Sequence, residues 1–179
     1  LGDPTARFAG RLTLNPIKHL DPMGSVFLPL VLAISGSPFL FGWAKPVPYN
    51  PFNLVKAPRF GEAIVALAGP LSNLAIALAT AFLIRFQIFP PEISEVLFLI
   101  VVVNVMLAVF NMMPIPPLDG SKVLAAILPQ GLQYSYNRWR SQLEFNPFLG
   151  FGLVLVIVLL LGRTIGTFVY SIAQALVGV

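Results

Sequence analysis

The sequence predicts an all-α polytopic membrane protein, a helical bundle that carries short strand-like surface or re-entrant segments. Three observations lead there. Hydrophobic residues make up 57% of the 179 positions and charged residues only 10%, against about 25% charged in a soluble domain. Residues 22–44, 64–84, 96–113 and 145–162 hold no formal charge, and each approaches the roughly 20 apolar residues that cross a bilayer. Prolines and glycines interrupt the first of these stretches, so part of the apolar backbone is not straight helix. The whole chain, 1–179, reads as a single membrane-embedded domain. It has no cysteine, which excludes disulfides and thiolate metal sites.

The elements follow in order. The chain opens on LGDPTARFAGRLTLNP without the charged leader and cleavage pattern of a signal peptide, and it reads as the cut end of a longer domain. Residues 1–21 are polar and turn-rich, with RLTLN at 11–15 alternating like a short strand. Residues 22–44 carry Pro22, Pro29 and Pro38 with Gly24, Gly36 and Gly42. Broken backbone at membrane depth is tolerated only where protein or a wet cavity covers it. The next loop contains KPVPYNP, which proline restricts to an extended, second strand-like form. Residues 64–84 make the cleanest spanning helix, with Arg85 set to snorkel at its end. Glu92 and Glu95 open the third apolar segment, where their charge suits a helix N-terminus. Beyond PPLDG, residues 121–128 read as a short helix, and QGLQYSYNRWRSQLEF as an aromatic and basic interfacial loop. Arg163 is the only charge in the last apolar stretch, where Gly162 and Gly166 form a lone GxxxG.

Charge placement bears on residues 22–44. If they cross, the eleven Lys and Arg residues divide five against six; if they re-enter, nine against two. The positive-inside rule favours re-entry, with both strand-like loops and residues 119–143 cytoplasmic.

Asp119 is the sharpest candidate for chemistry, because it alone stands directly beyond a spanning run and a proline cluster. LDGSKVLAAIL is also the pattern of a helix cap, with Asp119 accepting from the next turn; spacing leaves both roles open. Asn73 lies inside the cleanest helix, where an amide is costly to leave unsatisfied. An interhelical hydrogen bond beside small Gly69 and Ser72 is the bland alternative. Asn104 and Asn111, seven residues apart, share one side of the third segment. His19, the only histidine, reads as structural. Lys45, Lys56, Arg59, Arg138 and Arg140 are expected at lipid headgroups. Net charge +4, with Trp43 and Trp139 at the boundaries, points to the lipid bilayer and not to nucleic acid. Phosphoryl transfer and a serine triad lack their motifs.

Four motifs in this order, LGDPTARFAGRLTLNPIKHLDPMG, GWAKPVPYNP, AGPLSNL and FNMMPIPPLDG, resemble the site-2 protease family of intramembrane zinc metalloproteases, in its compact bacterial form without a PDZ insertion. The likeness covers residues 1 to about 128. It implies a multi-pass protein of the bacterial inner membrane that cleaves transmembrane segments of membrane-protein substrates. In that family an HExxH helix supplies two histidine ligands and a glutamate base, and the aspartate of LDG supplies the third ligand. Asp119 is thereby implied as a zinc ligand. Asn73 matches the asparagine of the GPxxN motif and is implied in the active-site cleft, holding substrate backbone or a developing oxyanion. Leu12, Thr13 and Leu14, with Pro46, Val47 and Pro48, are candidates for pairing with an unwound substrate by strand addition.

The HExxH is expected upstream of Leu1. A catalytic zinc needs about three protein ligands plus water, so the 179 residues alone are expected to be inactive. A non-catalytic scaffold that binds transmembrane helices is the main rival, and a transporter or channel subunit a more distant one.

Overall fold

Five Asp-Pro or Asn-Pro pairs punctuate the chain, at residues 3, 15, 21, 50 and 146, and each opens a helical turn. Proline presets φ for a first turn and lacks the amide that would go unbonded there, while the preceding side chain accepts from the amides that follow. Asp3 accepts from the Thr5 amide at 3.1 Å, and Asn15 from Ile17 at 3.0 Å. Asp21 accepts from Met23 at 3.0 Å and Gly24 at 2.8 Å, and Asn50 from Phe52 at 3.0 Å. Asn146 caps the last helix through Leu149.

The computed structural model describes the chain except residues 14, 37–41, 43, 46 and 179 and the side chains of Pro147 and Phe151. It forms two compact units, Leu1–Gly61 and Glu62–Val179.

In the first unit, the single turn α1 (Thr5–Phe8) leads to a 3-10 turn at Pro16–His19. A π-turn at Pro22–Phe27 then runs into α2 (Leu28–Ile34), and a second 3-10 turn follows at Pro51–Asn53. The apolar helix from Pro22 to Ile34 is about 20 Å long at 1.5 Å per residue, too short to cross roughly 30 Å of hydrocarbon as a helix. Among the described residues there is no β-strand. Of the two strand-like segments predicted, the described residues 11–13 and 47–49 pair in no ladder, and the extended Asn15 and Asn50 that follow them each open a 3-10 turn.

In the second unit three helices are long and apolar enough to cross a membrane. They are α3 (Gly61–Arg85), α4 (Pro91–Asn111) and α7 (Pro147–Val177). The charge-free stretch 145–162 and the apolar residues beyond Arg163 belong to one helix of 31 residues, because neither cap nor proline stops it at Gly162, Arg163 or Gly166. Ala77 and Ala81 of α3, Val101 and Val105 of α4, and Val169, Ala173 and Val177 of α7 form the buried core. Each set repeats every four residues, one helical face. In lipid, helix association rests on close van der Waals packing, which small side chains permit. Phe98 and Tyr170 add an edge-to-face contact at 5.6 Å. Arg85 lies beside Gly178, the left-handed residue that ends α7, where a cation suits the helix C-terminus.

Two shorter helices stand between α4 and α7: α5 (Asp119–Ile127) and α6 (Gln130–Phe145). The sequence alone suggests a loop at residues 130–145. The segment is helical because polar groups on one face bond to the protein. Gln133 donates to the Ala125 carbonyl at 2.9 Å, Tyr136 to the Pro114 carbonyl at 3.1 Å, and Arg140 to Glu62 at 3.0 Å.

Candidate functional site

The site is built at the corner between α4 and α5. After Asn111 the chain turns repeatedly, with the Met113 amide bonded to Phe110, Ile115 to Met113 and Leu118 to Ile115. Pro116 is fully buried, and the Pro116–Pro117 bond is cis. The first turn of α5 folds back on the end of α4 so closely that a Cβ on Gly120 would stand 2.2 Å from the Met112 carbonyl oxygen. Only glycine fits there. Ser121, buried, locks the turn by donating to the Leu118 carbonyl at 2.7 Å.

This corner presents Asp119. It is the first residue of α5, the N-cap is Leu118, and no side-chain cap is made, so the cap role open in the sequence is not realised. A carboxylate at N1 still favours the positive end of the helix. Its Oδ1 lies 3.3 Å from the Lys122 ammonium, one turn on. Its Oδ2 faces α3, 3.7 Å from the point a Cβ on Gly69 would occupy. The side chain is about one third exposed (32%), open to a ligand and held on one side by Lys122.

Asn73 follows Gly69 by four residues, so both stand on one face of α3. Its side chain is half-buried, and no hydrogen bond of it is found among the described residues. The interhelical bond considered from sequence is therefore not made there. Asn104 and Asn111 differ: each donates to the carbonyl four residues back in its own helix, Ile100 and Leu107, at 2.9 Å.

Zinc is the metal the sequence resemblance implies. Among the described residues no group of three or more His, Cys, Asp and Glu side chains could hold a metal ion. Asp119 offers one carboxylate donor, where a zinc site takes roughly four ligands, so these residues do not fit a complete zinc centre by themselves.

The candidate substrate-pairing segments lie in the first unit. Leu12 and Val47 are 73% and 52% exposed, and Thr13 and Pro48 are exposed too; Leu14 and Pro46 lie outside the described residues. Arg11, buried, donates to the carbonyls of Lys18 and Lys45. His19 donates from Nε2 to the Thr13 carbonyl at 3.0 Å, a structural role, while its own carbonyl accepts the Lys45 amide. Asp3 accepts from the Thr5 hydroxyl, the Asn50 amide at 2.7 Å and the Asn53 side chain at 3.1 Å. The Thr5 hydroxyl is the largest cause, and burial opposes it, in holding the Asp3 carboxyl at about 2 against an ordinary 3.8. Residues 47–49 are thus tethered at both ends.

Sequence reasoning missed Lys122, Gly69 as the contact of Asp119, and the Asp3 cluster. It also assigned Arg140 to lipid headgroups, whereas Arg140 turns inward to Glu62 and lies 3.8 Å from Glu144. The three-residue spacing of Asp119 and Lys122 was the readable signal. The others depend on contacts between distant segments.

Residues 87–155 match the model of Peptidase family M50, the stretch that contains PPLDG. The chain is 37% identical over 141 residues to "Putative zinc metalloprotease YwhC" of Bacillus subtilis, covering 74% of this chain and 60% of that protein. It is 32% identical over 167 residues to "Putative zinc metalloprotease Rip2" of Mycolicibacterium smegmatis (89% of this chain, 57% of the relative). The Rip2 of Mycobacterium tuberculosis H37Rv is 31% identical over 175 residues (96% and 61%). The chain thus spans about 60% of the length of these relatives. No solved structure matches.

Proposed function

Since this chain belongs to the site-2 protease family, Peptidase family M50, we propose that it is part of a zinc-dependent intramembrane endopeptidase that cleaves transmembrane segments of membrane-protein substrates. The observation that carries the proposal is the Asp119 carboxylate, presented by a rigid corner with Oδ2 turned to Gly69 and Asn73 one turn along the same helix. In this reading Asp119 is one zinc ligand, and an HExxH helix outside these 179 residues supplies the histidines and the glutamate. Zinc, when bound, supplies the Lewis acidity that polarises a scissile carbonyl and acidifies water.

The chain's own residues do the rest. Lys122 holds one oxygen of Asp119 and so fixes the plane of the carboxylate. Asn73, with an amide left over from the packing of α3, takes a substrate carbonyl or the oxyanion that grows from it. A helical substrate has its carbonyls bonded internally and must be unwound before cleavage. Leu12 and Thr13 with Val47 and Pro48 receive the unwound strand by main-chain pairing, on segments whose ends are already tethered and lose little entropy on binding. The membrane spans and the apolar setting confine the reaction to substrates that enter from the bilayer.

The test uses the full-length protein that contains this chain, reconstituted with a membrane-anchored reporter substrate. Asp119→Ala is expected to abolish both bound zinc and cleavage, and Asn73→Ala to lower cleavage while zinc stays bound. Wild-type turnover in the Asp119 variant would refute the assignment.

A further inference from the structure

Helix α6 is amphipathic in an unusual sense: its polar face is turned to the protein. Gln133, Tyr136 and Arg140 recur at three- and four-residue spacing and bond to α5, to the proline corner and to Glu62. Burial pushes the Tyr136 phenol up, which keeps it a donor to the Pro114 carbonyl. On another side of the helix Tyr134, Arg138 and Phe145, at i, i+4 and i+11, make a second stripe. Tyr134 is 75% and Phe145 90% exposed, and Arg138 is exposed between them. Gly131, Ser135 and Gln142 separate this stripe from Leu132 and Trp139 on the far flank.

We propose that the Tyr134, Arg138 and Phe145 stripe docks on the headgroup boundary of an anionic lipid surface, seating α6 on the membrane. Two features select lipid as the occupant. The stripe runs directly into α7, a helix of spanning length, whose first turn continues the apolar exposure through Phe148 at 89%. Aromatic rings flanking a cation suit the headgroup zone, where tyrosine sits half in lipid and arginine meets phosphate. The seat also carries the candidate site: Tyr136 holds Pro114, Gln133 holds the carbonyl of Ala125, and both grip the corner and helix that present Asp119. Lipid contact at α6 therefore fixes the position of that corner relative to the bilayer surface, whatever chemistry the corner performs.

The experiment places nitroxide labels, one at a time, at positions 134, 145 and 142 of the full-length protein, using Tyr134→Cys, Phe145→Cys and Gln142→Cys in a background without other cysteines. Each is reconstituted in phosphatidylglycerol and in phosphatidylcholine vesicles. Collision accessibility to oxygen and to a water-soluble nickel chelate reads the depth. Labels at 134 and 145 are expected to show an oxygen-to-nickel ratio roughly fivefold above that at 142, as for a side chain at the headgroup boundary. The ratio should rise further in phosphatidylglycerol, and Arg138→Gln should remove that rise. Aqueous accessibility at both 134 and 145 would overturn the proposal. So would a ratio indifferent to lipid charge, spin–spin broadening that reveals a second copy on the stripe, or low accessibility to both oxygen and nickel at 134 and 145, as when another protein segment covers it.

Discussion

The Asp119 carboxylate faces Gly69 of α3, with Oδ2 3.7 Å from where a Cβ would stand. At that distance a methyl group makes ordinary contact, whereas a branched side chain takes the carboxylate's space. Gly69→Ala is expected to leave metal affinity of the full-length protein near wild type. Gly69→Leu should weaken it roughly 10–100-fold, the scale seen when a ligand loses its positioning neighbour. Competition with a zinc chelator measures both.

Gly120 and Gly131 predict opposite outcomes for the same substitution. Gly120→Ala would set its Cβ 2.2 Å from the Met112 carbonyl oxygen and 2.5 Å from that of Met113, backbone atoms that cannot swing aside. A loss of about 3 kcal/mol or more is expected, at the top of the range for overpacking. Gly131, near the start of α6, has nothing within 4 Å of such a Cβ. Gly131→Ala should be neutral or stabilising by up to about 1 kcal/mol. Thermal unfolding in detergent compares them.

Arg140 and Glu62 join α6 to the first turn of α3 at 3.0 Å, with the Arg140 side chain 11% and that of Glu62 28% exposed. Partly buried pairs are costly to break from one side, because the remaining charge keeps its desolvation penalty. Arg140→Met alone is expected to cost about 2 kcal/mol, and the double variant with Glu62→Gln less than the sum of the single costs. A double-mutant cycle on unfolding midpoints reads the coupling; strict additivity would mean that the pair contributes nothing.

Asp3 predicts an acid-sensitive tether. Its carboxyl is held at about 2 in the folded chain against 3.8 ordinarily. A depressed folded value means that the charged form is preferred by the fold. Its contribution is therefore complete above pH 3.8 and is lost as pH falls through the interval to about 2,. Hydrogen exchange at the Asn50 amide, which Asp3 accepts at 2.7 Å, should accelerate in that interval relative to neighbouring amides. Asp3→Asn should show weaker protection of that amide without the acid step.

The spanning segments and the PPLDG corner were legible in the sequence because both are written in local terms: charge-free length for the helices, prolines and glycine for the turn. Residues that act across the fold were less so. Arg138 and Arg140 flank the same tryptophan and read alike, yet two residues of helix turn one outward and the other onto Glu62. Asp119 as cap or as first helical residue differs by one position, and Leu118 took the cap at the end of the turn that buries Pro116. RLTLN reads as a strand because alternation shows on any exposed stretch, and KPVPYNP because proline holds its neighbours extended. Pairing needs a partner edge, and the Asn-Pro turns cut both stretches short.

The ion pair between Asp119 and Lys122 makes the two oxygens of the acid unequal. With Oδ1 engaged by an ammonium at 3.3 Å, a cation arriving on the Gly69 side meets Oδ2 first. The grip on any such ion then rests on donors from elsewhere, and the lysine tempers the acid's negative charge.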